Sequence, residues 1–129
     1  MFYSETLPKA AASAAEARRV LDRLDGEVDG RVLDNARLLA SELVANAVEH
    51  VPQDGDLGLR VELHDGVLRV EVVDPGAGFT PRPREPGDPK ESGWGLHFVA
   101  MLADRWSADA GAAHRVWFEI DAPVTDGRR

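Results

Sequence analysis

The chain has no cysteine. Disulfide scaffolds, thiolate metal sites and cysteine nucleophiles are therefore excluded, and the absence suits a reducing compartment. No apolar run approaches the ~20 residues needed to span a bilayer. The first residues, Met1-Phe2-Tyr3-Ser4-Glu5, bring in an acid early and lack the apolar core of a secretory signal. A cytoplasmic location without membrane partners is expected. Basic residues are in deficit, with 15 Lys and Arg against 23 Asp and Glu, for a formal net charge of −8. Such a chain repels phosphate backbones, and no Lys/Arg block makes a local exception, so direct nucleic-acid binding is not expected. Internal repeats and low-complexity segments are also lacking.

What is present suffices for one domain. The 129 residues are 43% hydrophobic and 29% charged, ordinary values for a globular protein with a single core. The domain is read as residues 1–129, with a frayed tail at 124–129.

Phe2 to Leu7 reads as a strand closed by Pro8. Lys9 to Leu24, Ala-rich with Val20, Leu21 and Leu24 at helical spacing, reads as a first helix. Asp25-Gly26 and Asp29-Gly30 break the chain. Arg31 to Val51 is the strongest helix, because Val32, Ala36, Leu39, Ala40, Leu43, Ala47 and Val51 recur at three- and four-residue steps. Two alternating segments follow, 57–63 and 67–73, and Asp65-Gly66 between them signals a two-residue hairpin. Phe79 to Ser92, with four prolines and many charges, reads as a long loop of the kind that often serves as a lid. Gly93 to Ala103 reads as a short helix. Trp106 to Ala110 and Val116 to Ile120 read as closing strands, with Trp106 and Trp117 expected in the core. The expected architecture is α+β, a two-layer α/β sandwich whose mixed, mostly antiparallel sheet is covered on one face by helices.

Three constellations carry chemistry. On the long helix, Glu42, Asn46 and His50 step by four residues. Each such step drifts only about 40° around the axis, so the three form one polar line beside the apolar stripe. An Asn oxygen suits Mg²⁺, which takes hard oxygen ligands and keeps other positions for water and phosphates. A Glu one turn away can orient or deprotonate a hydroxyl. A solvated helix face with an incidental Asn would show the same pattern. The second is Asp74-Pro75-Gly76-Ala77-Gly78, directly after a strand. There an acid can accept a hydrogen bond from an exocyclic amine, and glycines permit close backbone approach; a plain Pro-Gly turn with a capping Asp is the alternative. The third is Ser92-Gly93-Trp94-Gly95-Leu96, opening a helix, where free N–H groups bind anions. A simple loop-to-helix junction is the competing reading.

In this order and spacing, the three resemble the motifs of the GHKL (Bergerat-fold) superfamily of gyrase, histidine kinase and heat-shock chaperone ATPases. Residues 41–50 look like its N box, 74–78 like its G1 box and 93–96 like its G2 box. The fuller phrases Ser-Glu-Leu-Val-Ala-Asn-Ala-Val-Glu-His (41–50), Leu-Ala-Asp-Arg-Trp (102–106) and Val-Trp-Phe-Glu (116–119) are similar to the small stand-alone anti-sigma factor kinases. The resemblance runs from Leu7 to Ile120.

The resemblance implies ATP and Mg²⁺ as cofactors. Asn46 would hold the metal against the phosphates, and Glu42 would be the catalytic base on a substrate serine or threonine. Asp74 would accept from the adenine amine, and Gly76 and Gly78 would pass close to the base. Gly93, Trp94, Gly95 and Leu96 would lie by the phosphates under a lid at 79–92, to which Arg82, Arg84 and Lys90 belong. His50 has no catalytic role and reads as a rim histidine. The implied function is a serine/threonine kinase that phosphorylates an anti-sigma factor antagonist of STAS type and so regulates transcription; a sigma factor and a second copy of the chain are further implied partners. The alternative is a nucleotide-binding or pseudo-kinase module that sequesters a sigma factor or other regulator without phosphotransfer. Two departures bear on this. His114-Arg115 stands where the family usually has a threonine, and Trp94 where relatives often have a basic residue.

Overall fold

The structure is a computed structural model. It describes residues 1–50, 55–74, 99–109 and 114–123, and the side chains of all of these except His50, Asp109 and His114. Five strands form one sheet in the order β1-β2-β3-β5-β4, with β1 at Phe2–Leu7, β2 at Leu57–His64, β3 at Val67–Asp74, β4 at Arg105–Asp109 and β5 at His114–Asp121. Every pairing is antiparallel. The expected mixed sheet is thus wholly antiparallel among the described residues.

Side chains alternate cleanly across this sheet. Leu57, Leu59 and Val61 of β2, Leu68, Val70 and Val72 of β3, and Val116, Phe118 and Ile120 of β5 are buried. They meet the apolar sides of helix α1 (Ser13–Leu21) and helix α2 (Gly30–His50). Helix α1 packs on β1 and on α2, and α2 packs on β3 and β5, so both helices cover one face. This is the expected two-layer α+β sandwich. The first helix is shorter than its composition suggests: it begins at Ser13 and tightens into a 3-10 turn at Asp22–Leu24. Gly26, at φ 88°, then turns the chain. Asp29 starts α2 by accepting the Arg31 N–H at 2.9 Å, which satisfies one of the unpaired donors of a helix start.

The hairpin forms as its sequence demands. Asp65 and Gly66 both have positive φ, 54° and 77°, the combination of a type I′ turn that matches strand twist. That turn sets the β2–β3 register, with Arg60 opposite Glu71 and Glu62 opposite Arg69.

The other face of the sheet carries charge. Glu71 is 7% exposed there, with guanidinium nitrogens of Arg60 at 3.3 Å, Arg69 at 3.8 Å and Arg115 at 3.3 Å. Arg69 also donates to Glu119 at 3.1 Å, and Arg105 donates to Glu119 at 2.7 Å. These pairs run across β2, β3, β5 and β4. Trp117 lies among them, with the Arg69 guanidinium 4.1 Å from its ring centroid, a cation–π contact. Trp117 is therefore not a core residue. It alternates with buried Val116 and Phe118 and takes the open face. Trp106 is on the helix side, opposite Phe118, but only half-buried at the margin of the core. The causes differ: in β5, centred on Phe118, only every second residue can point inward, which puts Trp117 outside, whereas Trp106 points inward from β4, the edge strand of the sheet.

Candidate functional site

Helix α2 presents the first candidate residues. At about 100° per residue, the buried positions Leu33, Ala36, Leu39, Ala40, Leu43, Val44 and Ala47 fill one side of it. Arg37 and Val48 stand at one border of that side; Glu42 and Asn46 stand at the other, and all four are half-buried. The two borders face different neighbours. Arg37 places its Nε 3.2 Å from Oδ1 of Asp22, in the turn that follows α1, although the angle falls short of a hydrogen bond. That border therefore looks toward α1, and the Glu42–Asn46 border looks away from it. The half-burial of Glu42 and Asn46 follows from the width of the apolar stripe, which stops one step short of them.

Chain direction then sets which end of the sandwich they occupy. Strand β2 starts at the end of the sheet where β3 finishes, since Gly58 pairs with Val73. Only residues 51–56 separate the end of α2 from the start of β2, a reach of at most about 25 Å. The C-terminal half of α2 thus lies toward the end of the sheet that carries Asp74. The same end is where β3 hands over to residues 75–98 and where β4 connects to β5. Binding groups concentrate where a rigid scaffold gathers its connections at one end.

Asp74 is the last residue of β3 and is 2% exposed. It lies in step with Val70 and Val72, on the helix-covered face. A carboxylate buried there is costly unless it is partnered, and Asp74 has a partner within the protein. Among the described residues no three His, Asp or Glu side chains group as a metal site. The amide oxygen of Asn46 is of the type that a Mg²⁺ held chiefly by phosphates and water accepts from a protein.

Gly76, Gly78, Gly93, Trp94, Gly95 and Leu96 lie outside the described residues, as do the lid at 79–92 with Arg82, Arg84 and Lys90, and the tail at 124–129. Of the helix expected at 93–103, residues 99–102 are described and are helical; Val99 is fully buried and Met101 is 64% exposed. The backbone of His114 is the first position of β5 and pairs with Asp74. The motif reading noted the histidine but had no means of placing it there, because that register spans the chain from 75 to 113. The Glu71 cluster also escaped it, although the hairpin register implied half of it.

The fold and the position of these residues define a class. Residues 7–118 match the family model of the histidine kinase-like ATPase domain, and the chain belongs to that family. Among solved structures it is similar to the RsbU and RsbW domains of Rv1364c from Mycobacterium tuberculosis, at 22% identity and a TM-score of 0.73, covering 98% of this chain and 34% of that one. It is also similar to a blue-light activated histidine kinase, EL346 of Erythrobacter litoralis. The kinase domain of that protein matches at 20% identity and a TM-score of 0.55, over 88% of this chain and 61% of that one. A longer form matches at 22% and 0.60, over 88% and 42%. The chain thus spans about a third to three fifths of these relatives. No curated protein matches it.

Proposed function

We propose that this chain binds Mg-ATP at the Asp74 end of the sandwich and transfers the terminal phosphoryl group to a serine or threonine of a protein antagonist of an anti-sigma factor. The observation that carries the reading is the placement of Glu42 and Asn46, half-buried and one turn apart, on the border of α2 that faces away from α1. Asn46 offers a neutral oxygen to the metal, and bound Mg²⁺ would neutralise charge on the phosphates. Glu42 takes the proton of the substrate hydroxyl as its oxygen bonds to the terminal phosphorus; the bond to the bridging oxygen breaks, and ADP leaves. Asp74 accepts from the base amine. Membership of an ATPase family supports ATP as the ligand, and the motif phrases at 41–50, 102–106 and 116–119 support the anti-sigma factor kinase assignment. The proposal includes a cytoplasmic setting; among the described residues no helix is long and apolar enough to cross a membrane.

Incubation with Mg-ATP carrying a labelled terminal phosphate and with the cognate antagonist tests this. Transfer that disappears in Glu42→Ala supports it. No transfer, with Glu42→Ala indistinguishable from the parent, overturns it. The second reading, sequestration of a sigma factor or other regulator without phosphotransfer, draws on Trp94 and His114 in places where the family usually has other residues. Under it, a sigma-type partner is retained by the Glu42→Ala protein as firmly as by the parent.

A further inference from the structure

The line on α2 that carries Asn46 and Glu42 continues one turn further toward the helix start. Leu38, Glu42 and Asn46 follow one another at steps of four residues, each step about 6 Å along the axis and about 40° around it. The line drifts outward as it goes. Asn46 and Glu42 are half-buried, and Leu38 is 39% exposed. The Leu38 carbonyl accepts the Ser41 hydroxyl at 2.9 Å, so its backbone is engaged within the helix, while its side chain takes no part in the core. A single exposed leucine is ordinary on a protein surface. This one stands one turn beyond the carboxylate assigned above as the base.

We propose that Leu38 is a docking residue for the protein acceptor, and that it packs against an apolar side chain next to the phosphorylated hydroxyl. This rests on the phosphotransfer reading given above. Phosphoryl transfer sets the leaving oxygen, the phosphorus and the attacking oxygen roughly in line. The attacking hydroxyl comes within about 3 Å of the base that takes its proton. The acceptor chain therefore lies on the side of Glu42 away from the phosphates. With metal and phosphates at Asn46, that is the Leu38 side, and the order along α2 is phosphates, base, acceptor. Side chains four apart on a helix stand about 5–6 Å from each other. An extended acceptor advances about 3.3 Å per residue, so a side chain one or two positions from the hydroxyl reaches Leu38. An apolar one removes the leucine from water, and its own surface with it.

Transfer kinetics of the full chain test this, at saturating Mg-ATP and with varied concentrations of the antagonist that accepts phosphate in the assay above. Leu38→Ala is expected to raise the KM for the antagonist by about three- to tenfold, the worth of burying the uncovered part of a leucine, and Leu38→Asp to raise it further. The kcat and the calorimetric affinity for Mg-ATP stay at parent values, because only uniform binding of the acceptor is lost. Leu38→Met, close in volume and apolar, keeps the parent KM. Once the phosphorylated residue is mapped, truncating its apolar neighbour in the antagonist to alanine raises the KM of the parent and adds little to that of Leu38→Ala, the coupling of a direct contact. An unchanged KM in Leu38→Asp, beside transfer that still requires Glu42, overturns the docking role and leaves the phosphotransfer reading standing. Loss of Mg-ATP affinity or of melting temperature in Leu38→Asp, in step with the rise in KM, makes the leucine a structural residue and overturns the docking role too. A parent that transfers nothing to the antagonist overturns the phosphotransfer reading, and this proposal with it.

Discussion

Arg115 on β5 and Glu71 on β3 are joined across the open face of the sheet, Nε to Oε2 at 3.3 Å. Arg60 reaches the other oxygen of the same carboxylate from β2, also at 3.3 Å. Glu71 thereby ties three strands together three residues before Asp74. Its side chain is 9% exposed, whereas those of Arg60 and Arg115 are 52% and 45% exposed.

Loss of Glu71 leaves guanidiniums that water can still solvate, so the cost is that of lost bonds and not of a stranded buried charge. Glu71→Ala is expected to destabilise the fold by about 1–2 kcal/mol, measured by urea unfolding with an unchanged m-value. Arg60→Ala, which removes only one partner at a more exposed position, is expected to cost less than about 1 kcal/mol. Equal losses in the two variants would show that the carboxylate does not bridge the strands.

The acid limb of stability provides a second check. The Arg105 hydrogen bond, followed by that of Arg69, outweighs burial and holds the Glu119 carboxyl below its ordinary range. A carboxyl with a depressed folded-state pKa contributes stability that is present above its unfolded value, about 4.3, and is lost as pH falls through the folded one. The melting temperature is therefore expected to be flat from pH 8 to about 6 and to fall below about pH 4.5. Glu119→Gln should melt lower at neutral pH and show a shallower acid fall. A variant that loses stability in acid as steeply as the parent would exclude Glu119 from that limb.

The rotational setting of α2 decides where Glu42 and Asn46 look, and adjacent leucines probe it. Leu39 is fully buried and Leu38 is 39% exposed. Leu39→Ala is expected to cost about 2–5 kcal/mol, and Leu38→Ala to stay within about 0.5 kcal/mol. Comparable costs would mean that the helix is turned from the position described.

Local rules account for most of what was legible in the chain. The stripe on α2, the alternation in β2 and β3 and the Asp65-Gly66 turn each depend on residues a few positions apart. All three appear in the structure with boundaries shifted by a residue or so. The stripe itself rotated slightly: Leu33 and Val44 are buried where Val32 is half-buried, because α1 packs against α2 from one side and broadens its buried arc. Trp117 was misplaced because size and apolarity suggested the core, while the parity of β5 about Phe118 put it outside. The pairing of β3 with β5 was not legible. It joins segments separated by residues 75–113, and no local pattern encodes which positions meet. The candidate site was read from motif phrases, whereas the backbone pairing of Asp74 with His114 needed the sheet.

Glu42 and Asn46 should separate binding from transfer. Asn46, if it holds the metal against the phosphates, acts on the bound ground state. Its alanine variant is expected to bind Mg-ATP at least about tenfold more weakly, as for loss of a charge-assisted contact worth roughly 1.5–3 kcal/mol, and to bind metal-free ATP about as the parent does. Glu42, if it takes the hydroxyl proton, acts only when the acceptor reacts. Glu42→Gln is expected to bind Mg-ATP normally and to slow transfer by about 10²–10⁴-fold, the usual contribution of a general base. Titration calorimetry with and without Mg²⁺, followed by single-turnover transfer, measures both. Glu42→Gln that abolishes nucleotide binding, beside Asn46→Ala that leaves it intact, would invert the two roles. Normal Mg-ATP binding by a parent protein that transfers nothing would leave Glu42 without a task and favour the sequestering module.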